Sequence, residues 1–153
     1  MLVREAKSQD FDALMRLYRQ LHADDPILSD GSDREVFARI QRSDNLHLFL
    51  LEADGRIHST CYLNIIPNIT RSARPFAIIE NVVTDASQRG RGFGTRVVRH
   101  ALDFAWSQGC YKAMLQTASK EESTHAFYRA CGFSANEKVG YVARPTDVVS
   151  TGA

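Results

Sequence analysis

The sequence predicts an α/β fold: one mixed, mostly antiparallel sheet of about six to seven strands flanked by about four helices, in the order β-α-α-β-β-β-α-β-α-β. Three observations carry this reading. Ile78 to Thr84 is short, apolar and rich in β-branched residues, which predicts a buried strand. After a polar stretch, Phe93, Val97, Val98, Ala101, Leu102 and Ala105 fall on one face of a helix. A further strand, Tyr111 to Thr117, follows that helix, so a parallel β-α-β crossover is expected.

The remaining elements follow from spacing and punctuation. Leu2 to Ala6 is a first strand. Ser8 is a candidate N-cap for a helix carrying Phe11, Leu14, Met15, Tyr18 and Leu21 at helical spacing. Asp24-Asp25-Pro26 stops it, because proline cannot continue a helix and restricts the residue before it. A shorter helix is expected over Arg34 to Arg42, with Val36, Phe37 and Ile40 inward. Leu46 to Glu52 is a strand, Asp54-Gly55 a two-residue hairpin turn, and Arg56 to Ile66 an alternating strand. In that strand Ile57, Cys61, Leu63 and Ile65 share one face and His58, Thr60, Tyr62 and Asn64 the other. Gly109 closes the long helix. Ala126, Phe127, Ala130 and Cys131 mark a late short helix ended by Gly132. Lys138 to Arg144 reads as a last strand, giving a single domain over 1–144 with a flexible tail from 145 to 153.

Between the buried strand and the long helix lies Gln88-Arg89-Gly90-Arg91-Gly92-Phe93-Gly94-Thr95. The first turn of a helix leaves backbone N–H groups unpaired at the positive end of the helix dipole. Gly90, Gly92 and Gly94 let backbone approach a ligand closely, and Arg89 and Arg91 add charge suited to phosphate oxygens. A phosphate or pyrophosphate fits such a junction. The dinucleotide pattern G-x-G-x-x-G/A fails at Thr95 or Val97, and the P-loop pattern fails at Thr95. A glycine-softened turn is the plainer alternative. An RNA-binding arginine–glycine tract would be repeated and disordered, whereas this segment is strongly periodic.

Composition narrows the classes. The 153 residues suit one domain, and 44% hydrophobic with 24% charged residues is ordinary for a globular chain. A net charge of +1 gives no sign of a nucleic-acid or membrane surface. No apolar run approaches a membrane span, and the N-terminus does not read as a signal peptide. Cys61, Cys110 and Cys131 are an odd count without metal-ligand spacing, consistent with reduced thiols in a cytoplasm, and no metal is expected.

The pattern Arg89-x-x-Gly92-x-Gly94 led by Gln88-Arg89-Gly90 resembles the acetyl-CoA pyrophosphate loop of the GNAT superfamily of N-acetyltransferases. His125-Ala-Phe-Tyr-Arg-Ala-Cys-Gly-Phe133 is similar to the late helix of that family. Gly109-Cys-Tyr-Lys112 and Ile79-Glu80-Asn81-Val82-Val83 resemble its glucosamine-phosphate N-acetyltransferase branch, without a matching acceptor region in 22–45 or 66–75. The resemblance covers residues 1 to 144. It implies acetyl-CoA as co-substrate, a homodimer, and transfer to a primary amine of a small molecule by direct attack in a ternary complex. A protein or peptide amine is the enzymatic alternative, and a non-catalytic acyl-CoA sensor the other.

The same resemblance implies roles for individual residues. The strand before the glycine loop is expected to splay at a β-bulge, with pantetheine along the backbone of Asn81, Val82 and Val83. Gln88 to Thr95 would hold the diphosphate, with Ser119, Ser123 and Phe127 also near the cofactor. An amide near Val82 would face the thioester oxygen, where one fixed donor is worth about 2.7–4 kcal/mol in comparable sites. Tyr128 is the candidate general acid, because a phenol with a reference pKa of about 10 is neutral at pH 7 and can protonate the leaving thiolate. Its alternative is an ordinary packed helix residue. Glu80 is the candidate general base, direct or through water, with its pKa expected to be raised by an apolar strand. Its alternative is a solvent-facing glutamate. Thr117, Ser119 and Ser123 are equally readable as turn or cap residues. Arg71 and Arg74 could hold an anionic acceptor, and Asp24, Asp25 and Asp30 a cationic one.

Overall fold

The computed structural model describes residues 1–145, which fall into two compact units, Met1–Thr117 and the residues from Ala118 onward. The first unit holds strands β1 (Leu2–Glu5), β2 (Leu46–Ala53), β3 (Arg56–Ile66), β4 (Phe76–Thr84) and β5 (Ala113–Met114). It also holds helices α1 (Phe11–Leu21), α2 (Ser32–Gln41) and α3 (Phe93–Ser107). The sheet order is β1-β2-β3-β4-β5, antiparallel up to β4, with β4 and β5 parallel. The hairpin falls where Asp54-Gly55 predicts it, both residues having positive φ (51° and 70°) as a type I′ turn requires.

The apolar pattern distributes the helices over the two faces. Phe11, Leu14 and Leu17 of α1 and Phe37 of α2 bury against Leu48, Leu50, Ile57 and Val83. On the other face α3 buries Val97, Val98, Ala101 and Ala105 completely. There Cys61 Sγ lies 3.7 Å from the Val97 carbonyl, and the Phe49 and Phe104 rings meet edge-on at 5.3 Å. The strict alternation expected along β3 is broken: Leu51 pairs with Ser59 but Glu52 with Ile57, which leaves His58 as an extra residue. Ile57 therefore joins the α1 face while Cys61 meets α3. Val36, expected inward, is 43% exposed; Phe37 is buried on that side of α2 and Ile40, half-buried, packs against the same cluster.

Ser8 is not the cap of α1. It lies in a 3-10 turn, Ser8–Asp10, and it is the Asp10 carboxylate that accepts the Lys7 amide at 2.7 Å. The strand predicted over Tyr111–Thr117 is short. Beyond the Tyr111 amide bonded to Pro75 O and the Ala77 amide bonded to Lys112 O, pairing ends at Ile78–Met114. Glycines close both long-range helix ends. At the end of α3 the Cys110 amide reaches Ala105 O and the Gly109 amide Trp106 O, a Schellman closure with Gly109 at φ 78°.

The second unit contains α4 (Glu122–Ala130). It ends in the same device, with Phe133 N–H on Tyr128 O at 3.1 Å, Gly132 N–H on Arg129 O at 2.9 Å, and Gly132 at φ 103°. The Phe133 and Tyr128 rings meet edge-on at 6.2 Å, the apolar contact that accompanies this closure. Residues Lys138 to Arg144, predicted as a strand, are irregular and exposed, with Val139 and Tyr141 79% and 90% exposed. No strand forms there: no strand among the described residues pairs with them. Apart from Pro145, the expected tail lies outside the described residues.

Candidate active site

The organising feature is the bend in β4. Thr60 pairs with Val83 and Tyr62 with Glu80, so Asn81 and Val82 together oppose the single Cys61. Two residues against one is a β-bulge, and its first residue, Asn81, has φ 50°. That position suits glycine. Asparagine is among the few side chains that tolerate it. The expected bulge is thus present, at Asn81–Val82. Because parallel pairing with β5 stops at Ile78, the far edge of β4 from Ile79 to Thr84 meets no strand among the described residues.

β4 delivers the chain to the glycine loop. Asp85 starts a 3-10 turn, Ala86–Gln88, by accepting the Ser87 amide and hydroxyl at 3.1 and 2.9 Å. Gly90 and Gly92 then take φ of 78° and 77°, with open space where a Cβ would stand. Gly92 is the N-cap of α3 and supplies no side chain to cap it. The first amide bonded back is that of Arg96, on Gly92 O at 3.1 Å. Among the described residues, the amides from Arg89 to Thr95 donate to no protein acceptor. Arg89, Gly90, Arg91 and Gly92 are exposed, whereas Phe93 and Gly94 are buried. The Phe93 ring anchors the helix start, beneath the Arg91 guanidinium at 5.1 Å and against His58 at 5.6 Å. Burial of the ring leaves only the Phe93 backbone within reach of a ligand. Gln88 and Thr95 are half-buried, and Gln88 accepts from Arg91 through its side-chain oxygen.

Residues that the sequence did not single out hold this loop. Arg16 on α1 bonds to the Asp85 carboxylate and donates to Ile57 O at 2.6 Å. Gln20, one turn further, accepts the Ala86 amide at 2.8 Å. On the sequence these are two polar residues four apart on an amphipathic helix, the pattern of a solvated face. The only available signal was their shared spacing. The Asp85 carboxyl titrates at about 2, well below the usual carboxylate range, through the Ser87 hydroxyl first and Arg16 second.

Glu80 is exposed rather than enclosed by apolar residues. The desolvation expected for it is therefore missing: it lies at the strand position opposite Tyr62, with its side chain open to solvent. Burial raises the Tyr62 phenol above its ordinary pKa. Asn81 and Val82 are half-buried and Val83 is buried. Arg74, expected free for an acceptor, is committed: it donates to Gly109 O at 3.2 Å and Cys110 O at 3.4 Å. Arg71 stays exposed, within a turn, Thr70–Ala73, in which Arg71, Ser72 and Ala73 all have positive φ.

In the second unit, Tyr128 is half-buried between two rings, Phe127 at 4.9 Å and Phe133 at 6.2 Å. Ser119 caps the approach to α4: its oxygen accepts the Glu121 amide at 3.2 Å and its hydroxyl donates to Thr124 Oγ1 at 3.1 Å. Ser123 is exposed on the first turn.

A helix start with a row of unclaimed amides, preceded by a bulged strand with an open edge, has the donors and the shape to suit a diphosphate joined to an extended chain. Residues 11–133 match the family model described as acetyltransferase (GNAT) family. The chain therefore belongs to that family, whose members take acetyl groups from acetyl-CoA. It is similar in structure to the "Putative acetyltransferase from Agrobacterium tumefaciens str. C58", with 42% identity, a TM-score of 0.89, and coverage of 94% of this chain and 99% of that one. Among curated proteins it is 36% identical over 91 residues to the glucosamine 6-phosphate N-acetyltransferase of Trypanosoma brucei brucei, a match spanning 60% of each chain. It is 31% identical to the "Probable glucosamine 6-phosphate N-acetyltransferase 2" of Oryza sativa subsp. japonica, over 86% of this chain and 80% of the rice protein.

Proposed function

We propose that the protein transfers the acetyl group of acetyl-CoA to a primary amine on a small molecule, by direct attack within a ternary complex. The observation that carries this reading is the run of unclaimed amides from Arg89 to Thr95 at the start of α3. These donors and the Arg89 and Arg91 charges suit the coenzyme diphosphate. Pantetheine would then lie along the open edge of β4, using the backbone of Asn81, Val82 and Val83. The neutral amine nitrogen adds to the thioester carbonyl. An amide at the bulge stabilises the resulting oxyanion, and the C–S bond breaks as the carbonyl reforms. In this reading Tyr128 gives its proton to the departing thiolate. Glu80, open to solvent, accepts the proton lost by the amine through a water. Ser119 acts through its cap and Ser123 from its exposed position.

The names of the similar proteins make amino-sugar phosphates the first acceptors to try. A free-thiol release assay over a panel of small amines, with glucosamine 6-phosphate, aminoglycosides and a peptide N-terminus included, tests the proposal. Release above hydrolysis with a small amine supports it. Release with the peptide alone favours a protein acceptor, and tight acetyl-CoA binding without release from any amine favours a sensor. A homodimer in a cytoplasmic setting belongs to the same reading, and sedimentation tests the first part.

A further inference from the structure

Three consecutive residues of β3 each fasten a different part of the junction between β4 and α3. Ile57 O accepts from Arg16 at 2.6 Å, and Arg16 is the residue paired with Asp85. His58 O accepts the Asp85 amide at 2.8 Å. Ser59 Oγ donates to Val83 O at 3.1 Å and lies 2.8 Å from Thr84 Oγ1. His58 is also the extra residue of the register shift, where Leu51 pairs with Ser59 but Glu52 with Ile57. In an unbroken alternation its side chain would face away from that of Cys61, which meets α3 at Val97 O. The extra residue instead brings the imidazole against Phe93, the first residue of α3, with ring centroids 5.6 Å apart.

The imidazole is also held from the hairpin side. Its Nε2 lies 3.2 Å from Ala53 O, and a carbonyl can only accept, so Nε2 carries the proton. In the neutral ring Nδ1 is then a bare lone pair, and it is buried without a hydrogen-bond partner among the described residues. An unpaired buried nitrogen costs stability and calls for an explanation beyond packing. Phe93 in turn is 4% exposed and carries the Arg91 guanidinium at 5.1 Å. His58 therefore links the β2–β3 hairpin to a residue whose own amide belongs to the unclaimed row. We propose that His58 is a positioning residue for the coenzyme diphosphate: pinned on Ala53 O, its ring sets the place of Phe93, and with it where Arg91 and the first turn of α3 present their donors. What those donors bind rests on the functional reading above. The hold on the helix start does not.

His58→Ala removes the ring. His58→Phe keeps a flat ring against Phe93 and gives up only the bond to Ala53 O. In the protein without coenzyme, amide hydrogen exchange at Arg96, Val97 and Val98 should speed about tenfold in His58→Ala, because the helix start frays, and stay unchanged at 101–105. Thiol release should show the KM for acetyl-CoA up about tenfold with kcat within about twofold, since the diphosphate is held alike before and during reaction. Calorimetry with coenzyme A should weaken by about the same factor. His58→Phe should return exchange and KM to within about threefold of the wild type. If His58→Ala does not fold, His58→Leu, which fills the space without a flat ring, is read in its place. Wild-type exchange at 96–98 or an unchanged KM in the ringless variant would overturn the proposal. So would a fall in kcat as large as the rise in KM, or a His58→Phe no better than the ringless variant. A wild-type protein that neither binds coenzyme A nor releases thiol would sink the functional reading instead, while the exchange at 96–98 still decides the role of His58.

Discussion

Arg16 and Asp85 form an ion pair that fastens α1 to the turn leaving β4. The pair has a pH signature. The Asp85 carboxyl lies at about 2 in the folded protein against an ordinary 3.8, so folding favours its ionised form. Its contribution is complete above the ordinary value and disappears as pH falls from about 5 toward about 2. Asp85→Asn should flatten that part of a stability-against-pH curve measured by urea titration. An identical acid limb in both proteins would remove Asp85 as its source.

Asp10 should matter more for stability than for activity. Its side chain is 8% exposed and is held by Arg4 through two parallel bonds of 2.6 and 2.9 Å, while it accepts the Lys7 amide. Asp10→Ala leaves Arg4 with the Glu52 carboxylate and the Glu5 carbonyl. A loss of about 3 kcal/mol is expected, the low end for breaking a buried pair because that second carboxylate remains. Chemical denaturation checks this, with KM for acetyl-CoA unchanged in the folded fraction.

The glycine loop gives a cofactor test. Gly92 sits at φ 77°, so Gly92→Ala strains the backbone by about 1–2 kcal/mol and turns the following amides away. Arg89→Ala removes a charge-assisted donor worth about 1.5–3 kcal/mol, roughly ten- to a hundredfold in affinity. Calorimetry with coenzyme A should show both weakening. Equal affinity in Arg89→Ala would detach the diphosphate from this loop.

Tyr128→Phe should lower kcat by about a hundredfold or more, the usual loss of a general acid, with acetyl-CoA affinity unchanged. Gly132→Ala is its companion. At φ 103° alanine is strained, and the Schellman closure that fixes the Tyr128 carbonyl and ring should loosen. A fall in kcat without a matching rise in KM is expected there too. Full turnover in Tyr128→Phe would remove that hydroxyl from the chemistry.

Local physics made some of this legible in the sequence and left the rest hidden. The glycine loop could be read because its residues act through backbone freedom and their place before a periodic helix, both visible in one dimension. The hairpin at Asp54-Gly55 was legible for the same reason. The bulge at Asn81 came only through family resemblance, since Glu-Asn-Val-Val carries no local mark of a left-handed residue. The irregularity at His58 left no mark either, and it moved Ile57 to the other face. The burial expected of Glu80 is absent, because apolar neighbours in sequence do not ensure burial beside a strand whose next partner has ended. Lys138–Arg144 shows the converse: a segment read as a strand that has no strand among the described residues to pair with.

The early end of β5 has one more consequence. From Ile79 on, the side of β4 away from β3 is a raw margin, carrying hydrogen-bonding groups that no strand among the described residues takes up. Such margins recruit foreign strands. A coenzyme lying there would serve as a temporary selvage as well as a reagent, so protein stripped of acetyl-CoA should aggregate sooner on warming than protein saturated with it.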